Sequence, residues 1–290
     1  MNYKRYANQP KHRKLISKAV KILIEDQRVK GLYLSGSVKT DEHSDIDLTI
    51  LSTEQDRESL EKERLKIASQ IGEIKAEAMS QFPHTYVVIY DPEEIKFDFN
   101  FHVLPEQARP DKAKIDVIYD PTGHLHKTVE ESAKIEWTVD MDDLNNRIKH
   151  FYVAISYTIS KIARGELWES RDCVEYYRQL LLLFEDILAK RKREGYRRLE
   201  QKLSAEKLSL LEQTIPRGLT PKEIFSSLDK IFEHFDTFLK GKFVDMSIFP
   251  TEYATEMMKY YYRKKKEVLE KKTSKSHARA ANDLARALAF

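Results

Sequence analysis

Two aspartates one residue apart, Asp45 and Asp47, open the strand-like run Asp45-Ile46-Asp47-Leu48-Thr49-Ile50. Strand side chains alternate between faces, so Asp45, Asp47 and Thr49 share one side while Ile46, Leu48 and Ile50 take the other. Neighbouring carboxylates repel, and burying even one costs on the order of several kcal/mol, a cost a chain rarely carries without a cation between them. Hard oxygen ligands point to Mg²⁺, which keeps several waters and binds through a few carboxylates together with substrate phosphates. A second run, Ile95-Lys96-Phe97-Asp98-Phe99-Asn100-Phe101-His102-Val103, alternates as cleanly. It sets Phe97, Phe99, Phe101 and Val103 on an apolar face and Asp98, Asn100 and His102 on a polar one, as in a sheet covered on one side. If the two strands pair, Asp98 joins Asp45 and Asp47. Three acidic groups around one or two divalent ions fit in-line phosphoryl or nucleotidyl transfer. The bland alternative is an exposed edge strand on which charge discourages aggregation. His102 reads as a hydrogen-bonded polar neighbour rather than a ligand, because sites of this kind use oxygen.

Certain elements must carry these residues. The apolar run Gly31-Leu32-Tyr33-Leu34 ends in a turn at Gly36-Ser37, and a short loop leads to Asp45. Leu15, Ala19, Ile22 and Leu23 recur at helical spacing, predicting a helix from about Pro10 to Gln27 before the first strand. Glu54 to Ala78 is charged and periodic and is expected to be helical, with Gly72 as an interruption. Thr85 to Tyr90 reads as a strand joined through the turn Asp91-Pro92-Glu93-Glu94 to the Asp98 strand in an antiparallel hairpin. Ile115 to Tyr119 is a further short strand, closed by Asp120-Pro121-Thr122-Gly123.

A strand, Gly-Ser, a short loop, Asp-x-Asp on the next strand and a lone Asp on a later one resembles the nucleotidyltransferase fold of the DNA polymerase beta superfamily. The matching residues are Gly36, Ser37, Asp45, Asp47 and Asp98. The resemblance implies a mixed, bent sheet with helices on one face, two Mg²⁺ ions and a nucleoside triphosphate, with ATP as co-substrate. Asp45, Asp47 and Asp98 would hold the metals, and Asp98 would also help to deprotonate an attacking hydroxyl. Gly36 and Ser37 would bind the triphosphate through backbone N–H groups and the Ser hydroxyl, since glycine permits close approach to phosphate. Lys39 and Ser44 would complete the nucleotide side. Many relatives carry an Arg shortly after Gly-Ser, and here Lys39 is the cation at that place.

From about Asp140 the strand patterns give way to long helical periodicities through Lys272, broken at Arg164-Gly165, Gly195, Pro216-Arg217-Gly218 and Lys240-Gly241. Thr220-Pro221-Lys222-Glu223 reads as a helix start, with Thr220 as cap. The expected fold class is α+β. A nucleotidyltransferase domain over residues 1–138 precedes an all-helical, acceptor-binding bundle over 139–272 and a basic, mobile tail over 273–290. A nucleotidyltransferase domain followed by a bundle of similar size resembles the antibiotic-modifying nucleotidyltransferases, above all the aminoglycoside adenylyltransferases. The resemblance implies transfer of AMP from ATP to a hydroxyl of a small, aminoglycoside-like acceptor, hence antibiotic resistance. It also implies a bundle carboxylate near the acceptor, with Glu166 and Glu169 as candidates and Glu169 assigned to the site. Acids at a helix start that complement the dipole, with Trp168 packed between domains, account for the same stretch. A protein or RNA acceptor, or a toxin–antitoxin-type regulatory module, stands as the alternative.

Composition sets the outer bounds. The chain has 290 residues, 41% of them hydrophobic and 33% charged, a globular profile with room for a substantial core. No run approaches the roughly 18 apolar residues of a membrane span, and the start MNYKRYANQPKHRK lacks a signal-peptide core. A single cysteine, Cys173, leaves no intramolecular disulfide or cysteine zinc site and fits a reducing cytoplasm. Residues 259–290 hold ten Lys or Arg against three acids, so a segment of +7 follows a body of −4 within the total of +3. That balance leans away from nucleic acid and toward a small or cationic partner. The basic run Lys190 to Arg193 reads as a solvated helix end, Tyr260-Tyr261-Tyr262 as a helix packing face, and a homodimer stays open.

Overall fold

The alternation in the two acidic runs is realised as a central parallel pair of strands. The computed structural model describes residues 3–37 and 40–287, with side chains described through Lys271. The chain divides into two units, Met1–Glu136 and Trp137–Phe290.

The first unit is an α+β assembly. Helix α1 (Pro10–Glu25) leads into strand β1 (Gly31–Leu34) and strand β2 (Ile46–Ser52), followed by helices α2 (Glu54–Lys62) and α3 (Arg64–Ile71). Strands β3 (Glu73–Met79), β4 (Thr85–Asp91), β5 (Ile95–Val103) and β6 (Asp116–Tyr119) follow, then helix α4 (His124–Ser132). The six strands form one mixed sheet in the order β3-β4-β5-β2-β1-β6. β2 and β5 run parallel, and the other neighbours are antiparallel.

One face of this sheet is apolar because the period-two pattern is kept across adjacent strands. Leu32 and Leu34 of β1, Ile46, Leu48 and Ile50 of β2, Tyr86, Val88 and Tyr90 of β4, and Phe97, Phe99 and Phe101 of β5 are buried together. They pack with Leu15, Ile16, Ala19, Val20 and Leu23 of α1, Leu60 of α2 and Ile67, Ala68 and Ile71 of α3. The spacing of those α1 residues, three or four apart, places them along one stripe of the helix. On the opposite face Tyr33 and Leu51 pack with Ile115 and with Leu125 of α4, so that face is covered at the β6 end of the sheet.

The helix expected over Glu54 to Ala78 is two helices and a strand. Gly72 ends α3 in an extended conformation, φ −172° and ψ 177°, and its close approach to the Tyr90 ring leaves little room for a side chain. Residues 73–79 are Glu, Lys, Ala, Met and a single Ile, a composition that favours helix in isolation. They form β3 instead because they satisfy the otherwise open backbone edge of β4, in a register running from Glu73 opposite Asp91 to Met79 opposite Tyr86.

The second unit is helical: α5 (Met141–Arg164), α6 (Leu167–Leu188), α7 (Leu199–Lys202), α8 (Ala205–Gln213), α9 (Pro221–Phe238), α10 (Lys240–Asp245) and α11 (Thr251–Ala287). Asp140 caps α5, its carboxylate accepting from the N–H groups of Asp142 and Asp143 at 2.8 and 3.2 Å. Gly165 closes α5 at φ +81°, and the Thr220 hydroxyl accepts from Glu223 N–H at 3.2 Å to start α9. Aromatic rings fill the centre, with Phe151 stacked on Phe235 and set edge-on to Tyr177, Phe184 and Phe232. Of the three consecutive tyrosines, Tyr261 is buried and donates to Asp229 at 2.8 Å, while Tyr262 is exposed. α11 continues to Ala287 rather than ending near Lys272. The side chains of the basic segment expected over residues 273–290 lie outside the described residues.

Candidate metal centre

The register of the parallel pair sets Asp47 directly beside Asp98. Alternation then turns both carboxylates away from the phenyl rings of β5 and onto the half-open face. Asp45, immediately before β2, completes the group: one carboxylate oxygen from each of Asp45, Asp47 and Asp98 lies within 4.8 Å of the others. The three side chains are half-buried. Asp98 Oδ1 is buried and has no hydrogen-bond partner among the described residues, although a buried carboxylate oxygen normally has one. Burial raises the Asp98 carboxyl above the usual range; Lys96 opposes that shift and the charge of Asp45 adds to it.

The Gly36 turn is built against this group. Ser35 N–H donates to Asp47 O at 3.0 Å, continuing the β1–β2 pairing one step past Leu34. The chain then turns at Gly36 with φ +80°, and a Cβ placed there would overlap Asp47 Oδ2. Glycine is therefore required twice, by backbone angle and by close approach. Ser37 follows in a half-buried position. Lys39, expected beside the phosphates, lies outside the described residues. Ser44 keeps its hydroxyl inside its own loop, donating to Asp41 Oδ1 at 3.1 Å and accepting from Asp41 N–H at 2.9 Å.

The N-terminal residues hold the same loop, which sequence reading missed. A 3-10 turn over Lys4–Tyr6 buries Arg5 and Tyr6. The Tyr6 hydroxyl donates to Asp45 O at 2.6 Å, His12 Nε2 contacts Ser44 O at 2.7 Å and the Arg5 guanidinium donates to Gly36 O at 2.7 Å. Thr40 closes the circuit, donating to Arg5 O at 2.6 Å. Burial, with the charges of Asp47 and Asp45 behind it, raises the Tyr6 phenol well above its usual range, so it remains a donor. These are contacts between segments distant in sequence, and no local pattern announces them. Lys96 was also missed, although β5 alternation places it on the Asp98 face.

Farther along that face a second, buried network borders the sheet. Glu106 accepts from Tyr33 OH at 2.9 Å, contacts His102 Nδ1 at 3.0 Å and pairs with Lys112 Nζ at 3.1 Å. Burial works to raise the Glu106 carboxyl, yet His102 and Lys112 hold it at about 2. Burial in turn pulls the Lys112 ammonium below its usual range against the attraction of Glu106. His102 thus pairs with a carboxylate and stands outside the group of three aspartates.

Glu169, the acceptor-side candidate, stands in the first turn of α6 in the second unit. It accepts from Tyr157 OH and pairs with Lys161 at 3.0 Å, and these two contacts hold its carboxyl below the usual range. Glu166 shares Lys161 at 2.8 Å. Trp168, between them, is 73% exposed. Among the described residues, no helix is long and apolar enough to cross a membrane.

The donor set fits a hard divalent cation: three carboxylates on adjacent backbone segments, one of them with a buried oxygen that has no partner among the described residues. No protein-family model matches the sequence and no curated protein matches it. Among solved structures, the chain is similar to an aminoglycoside 6-adenyltransferase from Bacillus subtilis, at 15% identity and a TM-score of 0.42, over 87% of this chain and 96% of that one.

Proposed function

We propose that the chain is a nucleotidyltransferase that moves AMP from ATP to a hydroxyl of a small acceptor. The observation that carries this reading is the convergence of Asp45, Asp47 and Asp98 to within 4.8 Å, with Asp98 Oδ1 buried and unpartnered among the described residues. Lys96 pairs with Asp45 and Asp98, yet one ammonium offsets only part of the charge of three crowded carboxylates, and oxygen ligands of this kind select Mg²⁺. Mg²⁺ bound there would polarise the triphosphate and neutralise charge developing on it. The residues themselves divide the remaining work. Gly36 and Ser37 would present backbone N–H groups and a hydroxyl to phosphate oxygens. Asp98, set beside Asp47 by the strand register, would take the proton of the attacking hydroxyl. The acceptor oxygen would bond to the α-phosphorus as the bond to the bridging oxygen breaks, and pyrophosphate would leave.

For the acceptor we propose a cationic, aminoglycoside-like molecule, supported by the net charge of −4 on residues 1–258. Glu169 is the proposed acceptor-side carboxylate, a weak base kept ionised by Tyr157 and Lys161. The test is pyrophosphate release from ATP and Mg²⁺ across a panel of aminoglycosides and lincosamides. Wild type is expected to release it with at least one acceptor. Asp47→Asn is expected to fall about a thousandfold, since losing a metal-binding carboxylate removes several kcal/mol of charge stabilisation. Wild-type turnover no greater than that of Asp47→Asn with every acceptor would refute the antibiotic reading.

A further inference from the structure

β5 carries a cation on the same side as Asp98. Lys96 stands two residues before it, and its Nζ lies 2.7 Å from Asp98 Oδ2 and 3.1 Å from Asp45 Oδ2. One ammonium therefore bridges two of the three carboxylates. The Lys96 side chain is 44% exposed, whereas that of Asp98 is 14% exposed, so the ammonium reaches inward from a stem that borders solvent. Asp98 is divided by this contact: Oδ2 holds Lys96 and Oδ1 has no partner among the described residues.

A protonated amine has donors and no lone pair. It can neutralise carboxylates, but it cannot ligate a metal, and it repels any cation that approaches the same oxygens. Lysine also differs from arginine in having a flexible four-carbon stem and a strongly hydrated head, which let it leave a carboxylate for water with little rearrangement.

We infer that Lys96 is a tethered placeholder for the divalent cation: it draws Asp45 and Asp98 together in the metal-free protein and must withdraw from both when the ion binds. The inference rests on the proposed reading of the three aspartates as a divalent-ion site. Lys96 acts on those ligands rather than on a substrate, which makes it a positioning residue. Two effects follow with opposite signs. Lys96 stabilises the metal-free fold by relieving repulsion, and it weakens ion binding by competing for the same oxygens. A lysine serving structure alone would stabilise the free and ion-bound proteins equally.

The experiment uses the full chain without nucleotide and Mn²⁺ as the probe, with free Mn²⁺ read by electron paramagnetic resonance. Wild type, Lys96→Met, Lys96→Gln and Asp47→Asn are titrated, and each is melted in EDTA and in saturating Mn²⁺. Both Lys96 variants are expected to bind Mn²⁺ about tenfold tighter than wild type, the scale of removing one nearby unit charge in a partly solvated site. They are also expected to melt lower in EDTA and to gain more from Mn²⁺ than wild type does. Binding by wild type but not by Asp47→Asn, with Lys96→Met and Lys96→Gln no tighter than wild type, would overturn the placeholder role and leave the metal site standing. Wild-type binding no stronger than that of Asp47→Asn would overturn the metal site and the inference together.

Discussion

Gly36→Ala tests whether the turn and the carboxylate are built around each other. Alanine in the left-handed region costs about 1–2 kcal/mol relative to glycine, and Gly36 sits at φ +80°. The new Cβ would also overlap Asp47 Oδ2 and stand 3.2 Å from Asp47 Cγ. The turn is pinned on both sides, by Ser35 N–H on Asp47 O at 3.0 Å and by Arg5 on Gly36 O at 2.7 Å. The carboxylate is therefore the part that moves, and forcing it off its rotamer costs about 0.5–1.5 kcal/mol. Together these set a loss of roughly 1.5–3.5 kcal/mol in unfolding free energy. Asp47→Ala removes the overlapping atoms and leaves only Asp47 Cβ, at an ordinary 3.7 Å. In that background Gly36→Ala should cost the backbone share alone, a coupling of about 1 kcal/mol between the two sites. Urea unfolding of the four proteins in EDTA measures it. Equal costs in the two backgrounds would show that the turn does not press on Asp47 and would refute the reasoning.

Tyr6→Phe should remove the 2.6 Å hydrogen bond to Asp45 O, costing about 1 kcal/mol; Mn²⁺ titration should show weaker binding as the Asp45 segment loosens, and unchanged binding would contradict the strap role of the N-terminal turn. Glu106→Gln probes acid stability. The Glu106 carboxyl sits at about 2 in the folded protein, below its unfolded value of about 4.3, so its stabilisation is present above the unfolded value and lost as pH falls toward 2. Linkage sets that contribution on the order of 3 kcal/mol, and the variant should flatten the stability curve between about pH 4.5 and 2 in chemical unfolding; a curve as steep as that of wild type would exclude Glu106 as its source.

Local alternation made the sheet legible where one face is buried. Phe97, Phe99 and Phe101 point one way, so Asp98 had to point the other, and the same rule fixed Asp47 beside Ile46 and Leu48. The rule applies equally to Lys96, but alternation gives only its face, and its pairing with Asp45 depends on the register between β5 and the segment before β2. Composition misled at Glu73–Met79, where helix-forming residues complete a sheet edge. Arg5 and Tyr6 gave no local signal because their partners, Gly36 and Asp45, lie more than thirty residues away. Helix starts in the second unit were readable at Thr220-Pro221, where the cap is a property of four adjacent residues.

The Asp47–Asp98 register has a bearing on assembly. A slip of β5 by one residue would drive Asp98 among the rings of Tyr86 and Tyr90 and push three phenyl groups toward water. Both errors are penalised at once, whereas a slip of two residues would keep the rings buried and set Asp47 beside Lys96 or Asn100 instead of Asp98. Completing the hydrophobic layer thus commits the carboxylates to the open face, and the register of the parallel pair then brings Asp47 to Asp98.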